Sequence, residues 1–295
     1  MKRMEWIAGS TAVLTSALTA NSPAQSLTVL NVAYAGSMGS MMEGPIKATA
    51  AQTLGVDMHG RALGSDALAK LIVGGSIAAD VFIPVTPGPM MTVLKAGKAQ
   101  SGTPIARTEM VIAYSPKSKF AQQFADAAAN KRGAMPWYQV LQQPGMRFGR
   151  TDPNADPQGR NIIFTFELAE AFYKQPGLTQ RVLGDTVNTA QIFSEPTVEA
   201  RLQSGELDAA SAYKIQPGPF NLPFINLPDE INLGNQSMHD NYQQASLTLG
   251  EKTFHPEALV YYASVITGTA QPDKAAAFVK WLTSSGGRAI FQKYA

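Results

Sequence analysis

Apolar residues recur along this chain in two rhythms, short alternating or continuous runs and longer stretches at helical spacing, with Gly/Pro-rich turns between them. Leu27–Ala33 predicts a strand, Gly36–Ser40 a turn, Met41–Leu54 a helix, Val56–Leu63 a second strand and Asp66–Gly74 a second helix. Asp80–Ile83 and Met110–Tyr114 continue the strands, Pro89–Ala96 and Phe120–Asn130 the helices. Pro157–Tyr173 is the clearest helix. Ile162, Phe166, Ala169 and Tyr173 fall on one face, and Asp156 stands as N-cap before a proline at the first helical position. Phe148–Arg150, Thr189–Phe193 and Ala209–Tyr213 read as strands, Thr197–Ser204 as a helix, and the proline-rich Pro217–Pro228 as an irregular loop. Ser246–Leu249 and Leu259–Ile266 read as strands, Pro272–Thr283 and Gly287–Tyr294 as closing helices. Strand–helix alternation with short connections predicts an α/β architecture with mainly parallel sheets. No linker interrupts the uniform composition, which fits two lobes joined by chain crossings near residues 112 and 250. Residues 25–112 with 251–295 would then form lobe I, and residues 113–250 lobe II.

Composition narrows the function. With 24 Lys and Arg against 22 Asp and Glu among 295 residues, and 45% hydrophobic residues, the chain is neither disordered nor a dedicated nucleic-acid binder. The absence of Cys excludes disulfides, thiol nucleophiles and thiolate metal sites. The first 24 residues read as a signal peptide. Lys2 and Arg3 precede an apolar stretch from Trp6 to Leu18, and Ser22 and Ala24 place small residues at a cleavage site. A membrane span needs roughly 20 apolar residues, more than this run supplies. Export to a bacterial periplasm is the expectation.

Candidate chemistry is sparse. His59, His239 and His255 form no metal-ligand spacing, and no carboxylates follow an EF-hand pattern, so no resident cofactor is expected. Ser211-Ala212-Tyr213-Lys214 matches the Ser-x-x-Lys acylation motif, but Ser-Asp-Asn and Lys-Thr-Gly partners are absent and Ser211 falls in a predicted strand. A periplasmic serine hydrolase using Ser211 and Lys214 is the alternative of another class. The turns Gly36-Ser37-Met38-Gly39-Ser40 and Gly64-Ser65 open helices in successive βα units. Helix N-termini bind oxyanions through free amides and the helix dipole, and the strand ends of an open sheet converge on one crevice. Asp156 and Glu195 each precede a proline at a helix start, and Tyr213 ends a strand with a hydroxyl to donate.

These residues, with several longer stretches, resemble the solute-binding component of molybdate/tungstate ABC transporters, most closely its tungstate-binding, archaeal-type branch. The matching stretches are Tyr34-Ala35-Gly36-Ser37, Gly64-Ser65, Ala79–Phe82, Met110–Tyr114, Phe148–Gly159, Ser204–Asp208 and Leu227–Leu233, together with a solute-binding-protein ending at Ala276–Leu282 and Gly286–Phe291. The resemblance implies a two-lobed, hinged fold with the oxyanion in the cleft and no enzymatic turnover. It assigns ligand contacts to Gly36, Ser37, Ser65, Asp156, Glu195 and Tyr213, with backbone from Pro157 and Gln158. It also implies an inner-membrane ABC permease as partner, and a monomer is expected. The chain departs from the family at Gln158, where Cys is common, and at Pro84-Val85-Thr86, where a Ser-Ala-Asp-like stretch is usual.

Two carboxylates beside a dianion raise an electrostatic problem. Like unit charges about 4 Å apart repel by roughly 1 kcal/mol in water and about 4 at intermediate dielectric. The acids must stand back, be protonated, or ligate the central metal. Tungsten and molybdenum can expand from four to six oxygens and sulfur cannot. The resemblance supports expansion, with Asp156 and Glu195 as the added metal ligands and rejection of sulfate as the result. Sulfate, phosphate or a small organic anion in the same fold stays open because of the Pro84–Thr86 departure.

Overall fold

The computed structural model describes Met1 and residues 27–294; apart from Met1, the expected signal peptide lies outside them. The strands in chain order are β1 (Thr28–Ala35), β2 (Val56–Leu63), β3 (Val81–Ile83), β4 (Thr103–Arg107), β5 (Met110–Tyr114), β6 (Phe148–Gly149), β7 (Ala209–Tyr213), β8 (Phe224–Asn226), β9 (Leu247–Leu249), β10 (Lys252–Phe254) and β11 (Val260–Val265). One sheet has the order β2-β1-β3-β11-β4 and a second the order β6-β7-β5-β8, while β9 and β10 form a hairpin. Each sheet is the core of one lobe.

β1 alternates near its start and is buried on both faces at its end, as a strand covered by helices on both sides must be. The Ser65–Val73 and Pro87–Lys95 helices cover one face, where Leu68, Ile72 and Val93 meet Phe82. On the other face Met41, Ile46 and Phe278 pack with Leu30 and Val32. β1 runs parallel to β2 and β3, and the register pairs Ala35 with Leu63 and Tyr34 with Ile83. Three strands therefore end at one level.

The sheets are mixed, not mainly parallel. β11 is antiparallel to β3 and β4, and β5 is antiparallel to β7 and β8. These are the strands by which the chain arrives from the other lobe, so they enter against the local direction. β4 ends at Arg107 in the first sheet, and β5 opens at Met110 in the second. The return follows the β9–β10 hairpin, which is tied to the Pro157–Tyr173 helix by the Ser246 amide donating to Glu167 at 3.0 Å. The next strand, β11, lies in the first sheet.

Other differences have local causes. Thr189–Phe193 is no strand; only Ile192 bridges to Arg150. The segment instead wraps the buried Arg150 guanidinium, whose nitrogens donate to Gln191 Oε1 (3.1 Å) and to the carbonyls of Thr186 (2.9 Å) and Asp185 (2.8 Å). The Pro217–Pro228 loop contains the edge strand β8, flanked by prolines as edge strands tolerate. β4, with Pro104, is an edge strand of the same kind. The Met41–Leu54 helix is broken at Gly44 (φ −101°, ψ −106°) just before Pro45, and a π-helical turn at Met42–Ile46 precedes the regular helix Lys47–Leu54.

Candidate anion-binding site

The register of β1 and β2 sets the site. With Ala35 beside Leu63, the next residues, Gly36 and Gly64, leave the sheet side by side, and each leads into a helical turn carrying a serine. Both glycines press against the other lobe. A Cβ on Gly36 would lie 2.5 Å from Glu195 Oε2, and one on Gly64 would lie 2.7 Å from the Ala155 carbonyl oxygen and 3.0 Å from Asp156 Cβ. Each Gly-Ser turn of lobe I is thus seated on one acid of lobe II.

Around this contact Gly36, Ser37, Ser65, Asp156, Glu195 and Tyr213 are all buried. Ser37 Oγ accepts from the Tyr261 hydroxyl (3.0 Å) and Ser65 Oγ accepts from the Val85 amide (3.1 Å), so both serine protons remain to be donated. Tyr213 Oη accepts from Asn161 Nδ2 (2.9 Å), leaving its own proton free in the same way. Its ring meets that of Tyr261 edge-on across the lobes, 6.4 Å between centroids at 83°. Tyr261 and Asn161 had no sequence signal; β11 and the long helix bring them in from elsewhere in the chain.

Pro157 and Gln158 open the long helix. Pro157 has no amide proton, and the Gln158 amide is spent on Asp156 Oδ1 at 3.1 Å as the N-cap bond. Gln158 Nε2 turns away to Gln216 Oε1 (2.5 Å), and Gln216 Nε2 in turn donates to Glu199 (2.7 Å). In this structure the Gln158 amide holds the Asp156 carboxylate. The serine–lysine pair is also unassembled: Lys214 Nζ pairs with Glu109 at 3.0 Å, and Ser211 Oγ has no partner.

The electrostatics are unusual. Asp156 Oδ2 and both Glu195 oxygens are buried without a hydrogen-bond partner. Burial pushes Asp156 up to about 6, against the Gln158 amide, Thr151 and Arg160, which favour its charged form. Burial, then the negative charges of Asp156 and Glu199, raise Glu195 well above the carboxylate range. Burial holds Glu199 at about 7. Arg160 supplies a cation nearby but spends it between the lobes, with Nη2 on Asp66 Oδ2 at 2.5 Å and Nη1 on the Pro153 carbonyl at 2.9 Å. Among the described residues no group of three or more His, Cys, Asp or Glu is arranged to hold a metal ion.

A pH dependence follows. Folded-state values above the unfolded ones mean that the native state binds the extra protons, so stability falls as pH rises. Through these acids, thermal melts of the ligand-free protein should drop between about pH 4 and pH 7. A flat or rising melting profile across that window would show that the acids are solvated in the empty protein.

The chain is similar to several known proteins. The molybdate/tungstate-binding protein WtpA of Pyrococcus abyssi is 30% identical over 209 residues, covering 64% of this chain and 59% of the relative. Its counterpart in Thermococcus kodakarensis is 30% identical, covering 64% and 57%. The chain thus spans less than two thirds of the length of these relatives. Among solved structures, the periplasmic molybdate-binding protein of Azotobacter vinelandii superposes with a TM-score of 0.61 at 17% identity, covering 90% of this chain and 97% of that one. The sulfate-binding protein SubI of Mycobacterium tuberculosis superposes at 0.56 with 13% identity, covering 90% and 86%, so the shared fold does not choose the anion. No helix among the described residues is long and apolar enough to cross a membrane. Residues 30–294 match the family model for bacterial extracellular solute-binding proteins, and the chain belongs to that family.

Proposed function

We propose that this protein captures tungstate or molybdate between its lobes and delivers it to an ABC importer. One observation carries the reading: three unpartnered, buried carboxylate oxygens, on Asp156 and Glu195, face two Gly-Ser helix starts from the opposite lobe. A sulfate there would meet only repulsion from these oxygens. A group-6 metal oxyanion turns the same oxygens into ligands, with Asp156 Oδ2 and Glu195 completing an expanded shell around the metal. Ser37, Ser65 and Tyr213 donate hydroxyl protons to the oxo groups, and the turn backbones at Gly36 and Gly64 pack closely against the acids. The ligand then neutralises what the empty protein leaves uncompensated, so binding and lobe closure favour each other.

The names of the relatives support the choice of anion, and the family supports an extracytoplasmic setting. Periplasmic release after cleavage near Ala24, a monomeric state, an inner-membrane permease as partner and the absence of turnover complete the reading. We also take residues 27–107 with 259–294 as lobe I and residues 110–255 as lobe II, from the sheets that their strands join.

A thermal-shift series with tungstate, molybdate, sulfate and phosphate tests it. Tungstate and molybdate at about 100 times Kd should add about 2.7 kcal/mol of stability, with sulfate and phosphate giving little at equal concentration. Equal stabilisation by sulfate, or none by either metal oxyanion, would overturn the reading.

A further inference from the structure

Thr86 lies three residues beyond the end of β3, whose Ile83 pairs with Tyr34 just before Gly36, and it holds an outlying conformation, φ +65° and ψ 157°. That region is essentially reserved for glycine, so a β-branched residue there is strained. The ordinary use of a threonine at this position is to cap the helix that follows, and here the cap cannot form. Pro87 and Pro89 have no amide proton, and the Gly88 amide donates to Glu257 Oε2 at 3.1 Å. The other donors of the turn are also spent: the Val85 amide on Ser65 Oγ and the Thr86 amide on the Val260 carbonyl at 3.0 Å. What remains is Thr86 Oγ1, on a residue 1% exposed and with no hydrogen-bond partner. Thr86 borders an interlobe cavity of about 460 Å³, together with Asp66 beside Ser65 and, from lobe II, Pro157, Arg160 and Asn161. Asn161 is the residue that orients Tyr213.

We propose that Thr86 is a third lobe I hydroxyl of the binding site, donating through Oγ1 to an oxo group of the bound oxyanion. This rests on the oxyanion reading above and extends it to a residue that determines affinity. Strain retained at a buried hydroxyl that caps nothing is accounted for by a ligand contact. A glycine would satisfy the backbone better and leave the ligand short of one donor.

Calorimetry with sodium tungstate, beside melts of the ligand-free protein, tests this on Thr86→Val, Thr86→Ser and Thr86→Gly. The Val variant keeps the shape and the strain but loses the hydroxyl; it should bind tungstate about ten-fold or more weaker while melting no lower than wild type. The Ser variant should recover most of that loss. The Gly variant should melt higher than wild type and bind more weakly, opposite signs that a purely structural role would not give. The proposal is overturned if the Val variant binds as wild type does, or if the Ser variant is as weak as the Val variant. If wild type itself binds neither tungstate nor molybdate, the oxyanion reading fails and this one with it; wild-type binding with an unaffected Val variant removes only the role of Thr86.

Discussion

The double variant Asp156→Asn, Glu195→Gln should lose about a hundred-fold or more in tungstate affinity, and its ligand-free form should melt higher than wild type at pH 8. The first effect follows from the role of the two acids: removing one member of a buried charged contact costs roughly 2–5 kcal/mol, and a hundred-fold is about 2.8. The second follows from their empty state. A buried carboxyl held at about 6 carries a penalty of about 3 kcal/mol once it is forced to ionise, and the amide carries none. Asn retains the N-cap bond from the Gln158 amide, so the helix start survives the change. Sulfate supplies a third readout, since the variant no longer repels it and should bind it at least as well as wild type does. Unchanged tungstate affinity in calorimetry would remove both acids from the site.

Gly64→Ala should separate folding from closure. The backbone at Gly64 is ordinary for any residue (φ −56°, ψ 136°), so lobe I tolerates the methyl group. Across the cleft that methyl would sit 2.7 Å from the Ala155 carbonyl oxygen, and the obstacle is backbone, which cannot swing aside. Overpacking of this kind costs roughly 1–3 kcal/mol, here charged only to the closed state. Tungstate binding should weaken by about five- to a hundred-fold, with the ligand-free melting temperature near that of wild type and small-angle scattering showing a more open particle with ligand present. A variant that binds and closes normally would mean that the two turns do not meet in the liganded protein.

How far the sequence reaches differs between fold and site. β1, β2 and the Pro157–Tyr173 helix were legible because each obeys a local rule: alternation, or one apolar face behind an N-cap. β8 and β4 were not, since prolines hide an edge strand whose pairing partner, β5 or β11, lies far away in the chain. The Arg150 loop was misread as a strand because its order comes from one side chain and not from pairing. In the site, Asp156 showed itself as a cap and the Gly-Ser turns as helix starts. Glu195 stood out only as an acid before a proline, and its place in the site came from the family resemblance. Thr86 and Tyr261 are defined by what surrounds them in space, which no spacing along the chain encodes.

The sheet order β2-β1-β3-β11-β4 also fixes an order of assembly. The slot between β3 and β4 is filled by a strand made from residues 260–265, after all of the proposed lobe II has been synthesised. On the division proposed above, lobe II is one continuous stretch that can collapse as it emerges. Lobe I must wait, with β3 and β4 unable to take their final places, until the chain has made the whole excursion and come back. Contacts of such sequence separation are slow to form, so the rate of folding should be set by docking of β11. Since that strand carries Tyr261, the proposed anion site should be completed only with this docking, and a nascent chain should hold no finished cleft in which to trap a ligand early.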